Sequence, residues 1–216
     1  MKLTKDDAKS GLNGHQRPQL HQHHCQHQLR HFNCRSSNCS KWALTNIRSL
    51  CNKQNDFALF LDVESPDVVC VTETWLHADI PDSLLCCKGY NVIRCDRNGR
   101  GGGVAMFVRN NIKFSPVDIP SEFSMLELTC VDLQYNAQSY RVIGYYRSPG
   151  CSTYDIDHMF LSVRCLQMLC STDKVTFILG DFNLPDIDWS YYHAPDNIIY
   201  NTFLSASLYV SKRGAY

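Results

Sequence analysis

No run of about eighteen apolar residues occurs in the 216-residue sequence, so no membrane-spanning helix is expected. The opening stretch MKLTKDDAKSGLNGH lacks the apolar centre of a secretory leader, and the chain reads as intracellular. Neither charge is in excess, because 21 Lys and Arg meet 21 Asp and Glu. That balance excludes a polycation built for bulk nucleic-acid binding and leaves room for a local basic surface. The twelve cysteines do not read as a disulfide framework. Most sit singly in apolar segments, such as Cys70 in DVVCVTE and Cys130 in LELTCVDL, where a small reduced core residue is expected.

What is present changes sharply near residue 40. Residues 1–40 are rich in His and Gln and poor in aliphatics, which is too little apolar surface to offset the entropy of ordering. This segment reads as a low-complexity, disordered tail. Its His15, His21, His23, His24, His27 and His31, with Cys25, Cys34 and Cys39, could ligate zinc. The segment has no paired C-x2-C or H-x3-H knuckle, so the tail reading is preferred.

From residue 41 to 216, one folded domain is expected. KWALTNI (Lys41 to Ile47) reads as a strand, and NDFALFLDVES as a helix burying Phe57, Leu61 and Phe60 before Pro66. DVVCVTET is a continuous apolar run, as in a strand covered on both faces. Further strands follow in YNVIRCD, GGGVAMFVR, IKFSPVDI, SMLELTCVDLQY and YRVIGYYRSP. YDIDHMFLSVRCLQMLCST reads as an amphipathic helix, and VTFILGDFN as the strand after it. Helices alternating with strands at both ends predict an α/β domain of two packed mixed sheets with outer helices.

Four strand ends carry polar residues that core packing would not choose: Asn46, Glu73, the Tyr146–Arg147 pair, and Asp181 with Asn183. Singly, each reads as a turn cap or a solvated side chain. As a set they offer hard oxygen ligands suited to Mg²⁺ or Mn²⁺, a carboxylate able to orient water, and amide and phenol groups for phosphate oxygens. That is a phosphoester-hydrolysis set. Asp181 and Asn183 share one side of an extended segment. The arginines of RCDRNGRGGGVAMFVR, Arg97 and Arg100 among them, could neutralise DNA phosphates or decorate a solvated hairpin, and both readings stay open.

In order, TNIRSL, VTETWL, RGGGVAMFV, GYYRSPG and ILGDFN resemble the endonuclease/exonuclease/phosphatase superfamily. The closer likeness is to the endonuclease domain of LINE-like (non-LTR) retrotransposons, over about Lys41 to Trp189. The resemblance implies a four-layer αββα sandwich related to apurinic/apyrimidinic endonucleases and pancreatic deoxyribonuclease. It implies metal-dependent nicking of one DNA strand, in the nucleus, by a domain attached to a reverse transcriptase. By matched position Glu73 is the principal metal ligand and Asn46 sits beside metal and phosphate. Tyr146 contacts the scissile phosphate, Asp181 aligns the attacking water, and Asn183 stabilises phosphoryl oxygens. Arg97, Arg100 and Arg147 are the expected DNA contacts.

The likeness also implies a late Ser-Asp-His motif. After GDFNLPDIDW the sequence runs SYYHAPDNIIYNTFLSASLYVSKRGAY without it, and His193 lies too close to GDFN to serve. The expectation is a C-terminally truncated domain, lacking the last strands of its second sheet and weak or inactive as a nuclease. NTFLSASLYV is read as the start of a further helix. The alternatives are a non-catalytic nucleic-acid-binding relic and a phosphomonoesterase of the same fold.

Overall fold

The computed structural model describes residues 30–32, 40–149, 154–184, 187, 188, 191 and 193. The zinc reading of residues 1–29 and 33–39, and the helix read into NTFLSASLYV, lie outside the described residues. Among the described residues, nine strands form two mixed sheets. β1 (Arg30–Phe32), β2 (Trp42–Asn46), β3 (Val68–Thr72), β5 (Val104–Arg109) and β4 (Tyr90–Cys95) make the first, in that order. β6 (Lys113–Pro116), β7 (Glu127–Tyr135), β8 (Gln138–Tyr146) and β9 (Val175–Asp181) make the second. β2 runs parallel to β3 and β8 parallel to β9, while the other pairs are antiparallel. The backbone of β1 pairs with β2 from within the segment whose composition marks a tail.

Side-chain alternation sorts the apolar residues into three layers, and these layers make the four-layer αββα sandwich. Along β3 and β5, Val68, Cys70, Val104, Met106 and Val108 point between the sheets and meet Val131, Leu133, Val142, Tyr146 and Leu179. Their neighbours Val69, Val71, Ala105 and Phe107 point outward. There they meet Phe57 and Leu61 of α1 (Gln54–Glu64), with Phe57 and Phe107 ring centroids 4.9 Å apart. On the far side, Leu128, Cys130, Ile143 and Tyr145 pack under Met159, Val163, Leu166 and Leu169 of α2 (Tyr154–Cys170), whose spacing is helical. The continuous apolar run of β3 is therefore explained: both of its faces are covered.

Local rules set the boundaries. Ser65 ends α1 with a left-handed φ of 46° just before Pro66. Asn136 and Ala137, at φ 49° and 63°, form the two-residue turn joining β7 to β8. β6 is shorter than the IKFSPVDI run and ends on Pro116, whose missing N–H an edge strand tolerates, although the next N–H, that of Val117, still bonds to Cys130 O at 2.8 Å. Cys70, Cys130 and Cys165 are free and buried, with thiols pushed up to about 12 by burial.

Candidate active site

The alternation that builds the layer between the sheets also delivers polar groups to one end of it. Asn46 continues the inward phase of Trp42 and Leu44, Tyr146 that of Val142, and Asp181 that of Leu179. Tyr145, one residue earlier, faces α2 and donates from its hydroxyl to Ser162 Oγ at 2.8 Å. Phase thus selects Tyr146, not Tyr145. Register does the rest, since Tyr146 pairs with Asp181 and Asn46 with Thr72, one residue before Glu73.

Side-chain bonds tie the two sheets together at these ends. Asn46 Nδ2 donates to Asp181 Oδ2 at 2.9 Å, and the Asn183 backbone N–H to Asp181 Oδ1 at 3.3 Å. Tyr146 donates from its hydroxyl to Glu73 Oε1 at 2.6 Å, and Trp75 Nε1 to Glu73 Oε2 at 2.8 Å. Burial, then the hydrogen bond to the Glu73 carboxylate, raises the Tyr146 phenol above its ordinary range, so it stays a proton donor. Asn46, Glu73, Tyr146, Asp181 and Asn183 thus come together from four strand ends.

The backbone there is held in costly conformations. Glu73, Trp75 and Asn183 have φ of 55°, 55° and 47°, and Arg48 and Ser49 are also left-handed. Each such residue costs on the order of 1–3 kcal/mol and persists only where its surroundings enforce it. Ser49 N–H and Leu50 N–H bond to Glu73 O and Thr74 O, while Trp75 N–H bonds to Gly102 O, all at 2.9 Å. A side chain at Gly103 (φ 86°) would place its Cβ 2.4 Å from Thr74 Oγ1. Gly103 is glycine because it must lie this close to the segment after Glu73, and Gly102 because a Cβ there would come within 2.5 Å of Arg97 and Glu127.

The model of the endonuclease/exonuclease/phosphatase family matches residues 31–209. The chain belongs to that family. No curated protein matches it. Solved structures share the fold at low identity. The endonuclease domain of TRAS1, a telomere-specific non-LTR retrotransposon, is 11% identical with a TM-score of 0.56, covering 80% of this chain and 71% of that one. An AP endonuclease from Archaeoglobus fulgidus is 17% identical with a TM-score of 0.53 over 81% and 70%. The 3′ phosphatase NExo from Neisseria, bound to a product DNA hairpin, is 17% identical with a TM-score of 0.53 over 78% and 69%.

In this family member the three arginines read as DNA contacts have different surroundings. Arg100 is exposed. Arg97 is half-buried, paired through Nε with Glu127 Oε1 at 2.8 Å, bonded to Ser148 Oγ, and placed 5.8 Å over the Tyr146 ring. Arg147 corrects the sequence reading most: it is 3% exposed and donates from Nη1 to Asn183 O at 3.1 Å, while Asn183 Nδ2 donates to Arg147 O at 2.6 Å. It braces Asn183 and has no surface to offer a DNA strand. His193, as expected, is exposed in a loop, where its backbone pairs with that of Asp188. Glu127 is a residue the sequence reading missed. It holds Gly103 N–H as well as Arg97, and nothing in SMLELTC distinguishes it from a solvated strand residue.

The donor set bears on whether a divalent cation could sit here. Asn46 Oδ1 is buried without a hydrogen-bond partner among the described residues, as is Oγ1 of its register partner Thr72. A buried carbonyl left so costs about 1–3 kcal/mol. Glu73, which follows Asn46's register partner Thr72, receives only neutral donors among the described residues and keeps free lone pairs. One carboxylate and one amide oxygen suit a hard cation that retains water, and no cluster of three His, Cys, Asp or Glu occurs among the described residues. The residues fit Mg²⁺ or Mn²⁺.

Proposed function

We propose that this chain carries the metal- and phosphate-binding centre of a DNA endonuclease of retroelement type, which hydrolyses one phosphodiester bond. The observation that carries it is the Asn46–Asp181 bond with the orphaned Asn46 Oδ1, on a strand whose register sets Asn46 opposite Thr72, one residue before Glu73. A divalent cation held by Glu73 and Asn46 would polarise a phosphoryl oxygen and offset the charge that builds on it. Asp181, its carboxylate oriented by Asn46 and by the Asn183 N–H, accepts a hydrogen bond from the attacking water and draws its proton. Tyr146 holds a phenol proton toward the site, and the second N–H of the Asn183 amide is available for a phosphoryl oxygen. The order of TETWL, GGGVA, Y-R-x-P and GDFN supports the retroelement assignment, a reverse-transcriptase partner domain and a nuclear place of action.

The test is nicking of supercoiled plasmid in Mg²⁺ by this chain and by Asp181→Ala. Slow, metal-dependent relaxation that Asp181→Ala abolishes is expected. No relaxation by folded wild-type protein would leave nucleic-acid binding as its role. Release of inorganic phosphate from a 3′-phosphorylated oligonucleotide, without nicking, would favour the phosphomonoesterase alternative.

A further inference from the structure

Trp75 has features that the hydrolysis leaves unexplained. It is 41% exposed at the rim of the site, with φ at 55°, an unfavourable conformation for a bulky residue. Its indole N–H is taken by Glu73 Oε2 and its backbone N–H by Gly102 O, so both donors are already engaged. What remains toward solvent is the ring. Among the described residues no aromatic ring or guanidinium stacks on it. Gly101 lies near the N–H edge of the indole, where a Cβ would stand 3.9 Å from Nε1, and Arg100, its neighbour in sequence, is exposed.

A residue needed only to orient Glu73 could do so from a relaxed, covered position. Instead the backbone is strained to present an aromatic face beside a phosphate-binding centre, next to an exposed cation. We infer that the open face of Trp75 stacks on a nucleobase flanking the scissile phosphate, with Arg100 on the adjoining backbone phosphate; this rests on the nuclease reading above. Stacking on an aromatic side chain tolerates any base and is worth most where bases are unpaired or splayed. The class of substrate is therefore DNA locally opened at the nick site.

The experiment is fluorescence anisotropy of a labelled single-stranded oligonucleotide with Ca²⁺ in place of Mg²⁺, using wild type, Trp75→Phe and Trp75→Leu. Phe keeps an aromatic face and loses the N–H to Glu73, whereas Leu keeps bulk and loses both. Stacking predicts near wild-type affinity for Trp75→Phe and a loss of roughly ten-fold for Trp75→Leu. It also predicts that DNA quenches the intrinsic tryptophan emission of the wild type and that this quenching disappears in Trp75→Phe. Equal affinity for Trp75→Leu and wild type, or equal losses in both variants, would overturn it. If Trp75→Leu does not fold, the quenching decides, and binding without quenching overturns the inference. Wild-type protein that binds no DNA would instead overturn the nuclease reading itself.

Discussion

Asn46 makes a claim about single atoms. Its Nδ2 is used on Asp181 and its Oδ1 is buried without a partner, so a bound cation should relieve an existing cost. Mg²⁺ should raise the melting temperature of the wild type by mass action and raise that of Asn46→Ala much less. Equal rises, read by differential scanning fluorimetry, would place the cation elsewhere. The arginines separate in the same way. Arg100→Ala should weaken DNA binding uniformly and lower the slope of log affinity against log salt by about 1, without changing the melting temperature. Arg147→Ala should lower the melting temperature, because Arg147 is buried and braces Asn183, and the salt slope should stay as it was. In the sequence the two arginines look alike. Burial separates them, and burial of a long charged side chain depends on what the far end of another strand brings to it.

At the scale of elements, β9 shows why the motif reads Gly-Asp. A Cβ at Gly180 would lie 1.8 Å from Tyr145 O, so β8 and β9 can pair through Asp181 only if residue 180 has no side chain. Gly180→Ala should cost at least about 3 kcal/mol in urea unfolding, since backbone must move and the Tyr146–Asp181 pairing moves with it. A loss under about 1 kcal/mol would mean that the strands can part without consequence. Period-two alternation makes Asn46, Tyr146 and Asp181 legible in the sequence, because each extends the phase of its strand. Glu73 is legible only through its motif. Its left-handed backbone breaks the alternation, and the bonds that enforce it come from loops about 25 and 30 residues away in sequence, Ser49 on one side and Gly102 on the other. The pairing of β1 with β2 is hidden for another reason, since a three-residue strand held by backbone bonds leaves no apolar pattern.

Across the whole molecule, charges are balanced in number and unbalanced in placement. At the end of β9 remote from Asp181, Asp132 accepts from Arg141 Nε at 2.8 Å and from Lys174 Nζ at 2.8 Å. Arg141 also donates to Leu169 O in the last turn of α2, at 2.9 Å, and so joins the helix to the sheet. The Arg141 hydrogen bond, ahead of the opposing effect of burial, holds the Asp132 carboxyl below its ordinary 3.8. A depressed folded-state value contributes stability that is fully present above 3.8 and is lost as pH falls below it. The described side-chain partners of Asp181 and Glu73 are neutral donors, which leaves both carboxylates open to a cation. The two ends should therefore respond independently. Asp132→Asn should lower the melting temperature at neutral pH and flatten its further fall below pH 3.8, while the rise produced by Mg²⁺ stays intact. Thermal melts followed from neutral pH to below 3.8, with and without Mg²⁺, check both halves. If the variant follows the wild-type curve through that window, the Arg141–Asp132–Lys174 cluster contributes nothing to acid stability. If the Mg²⁺ response falls with it, β9 couples its two ends, and the site depends on the strand as one rigid unit.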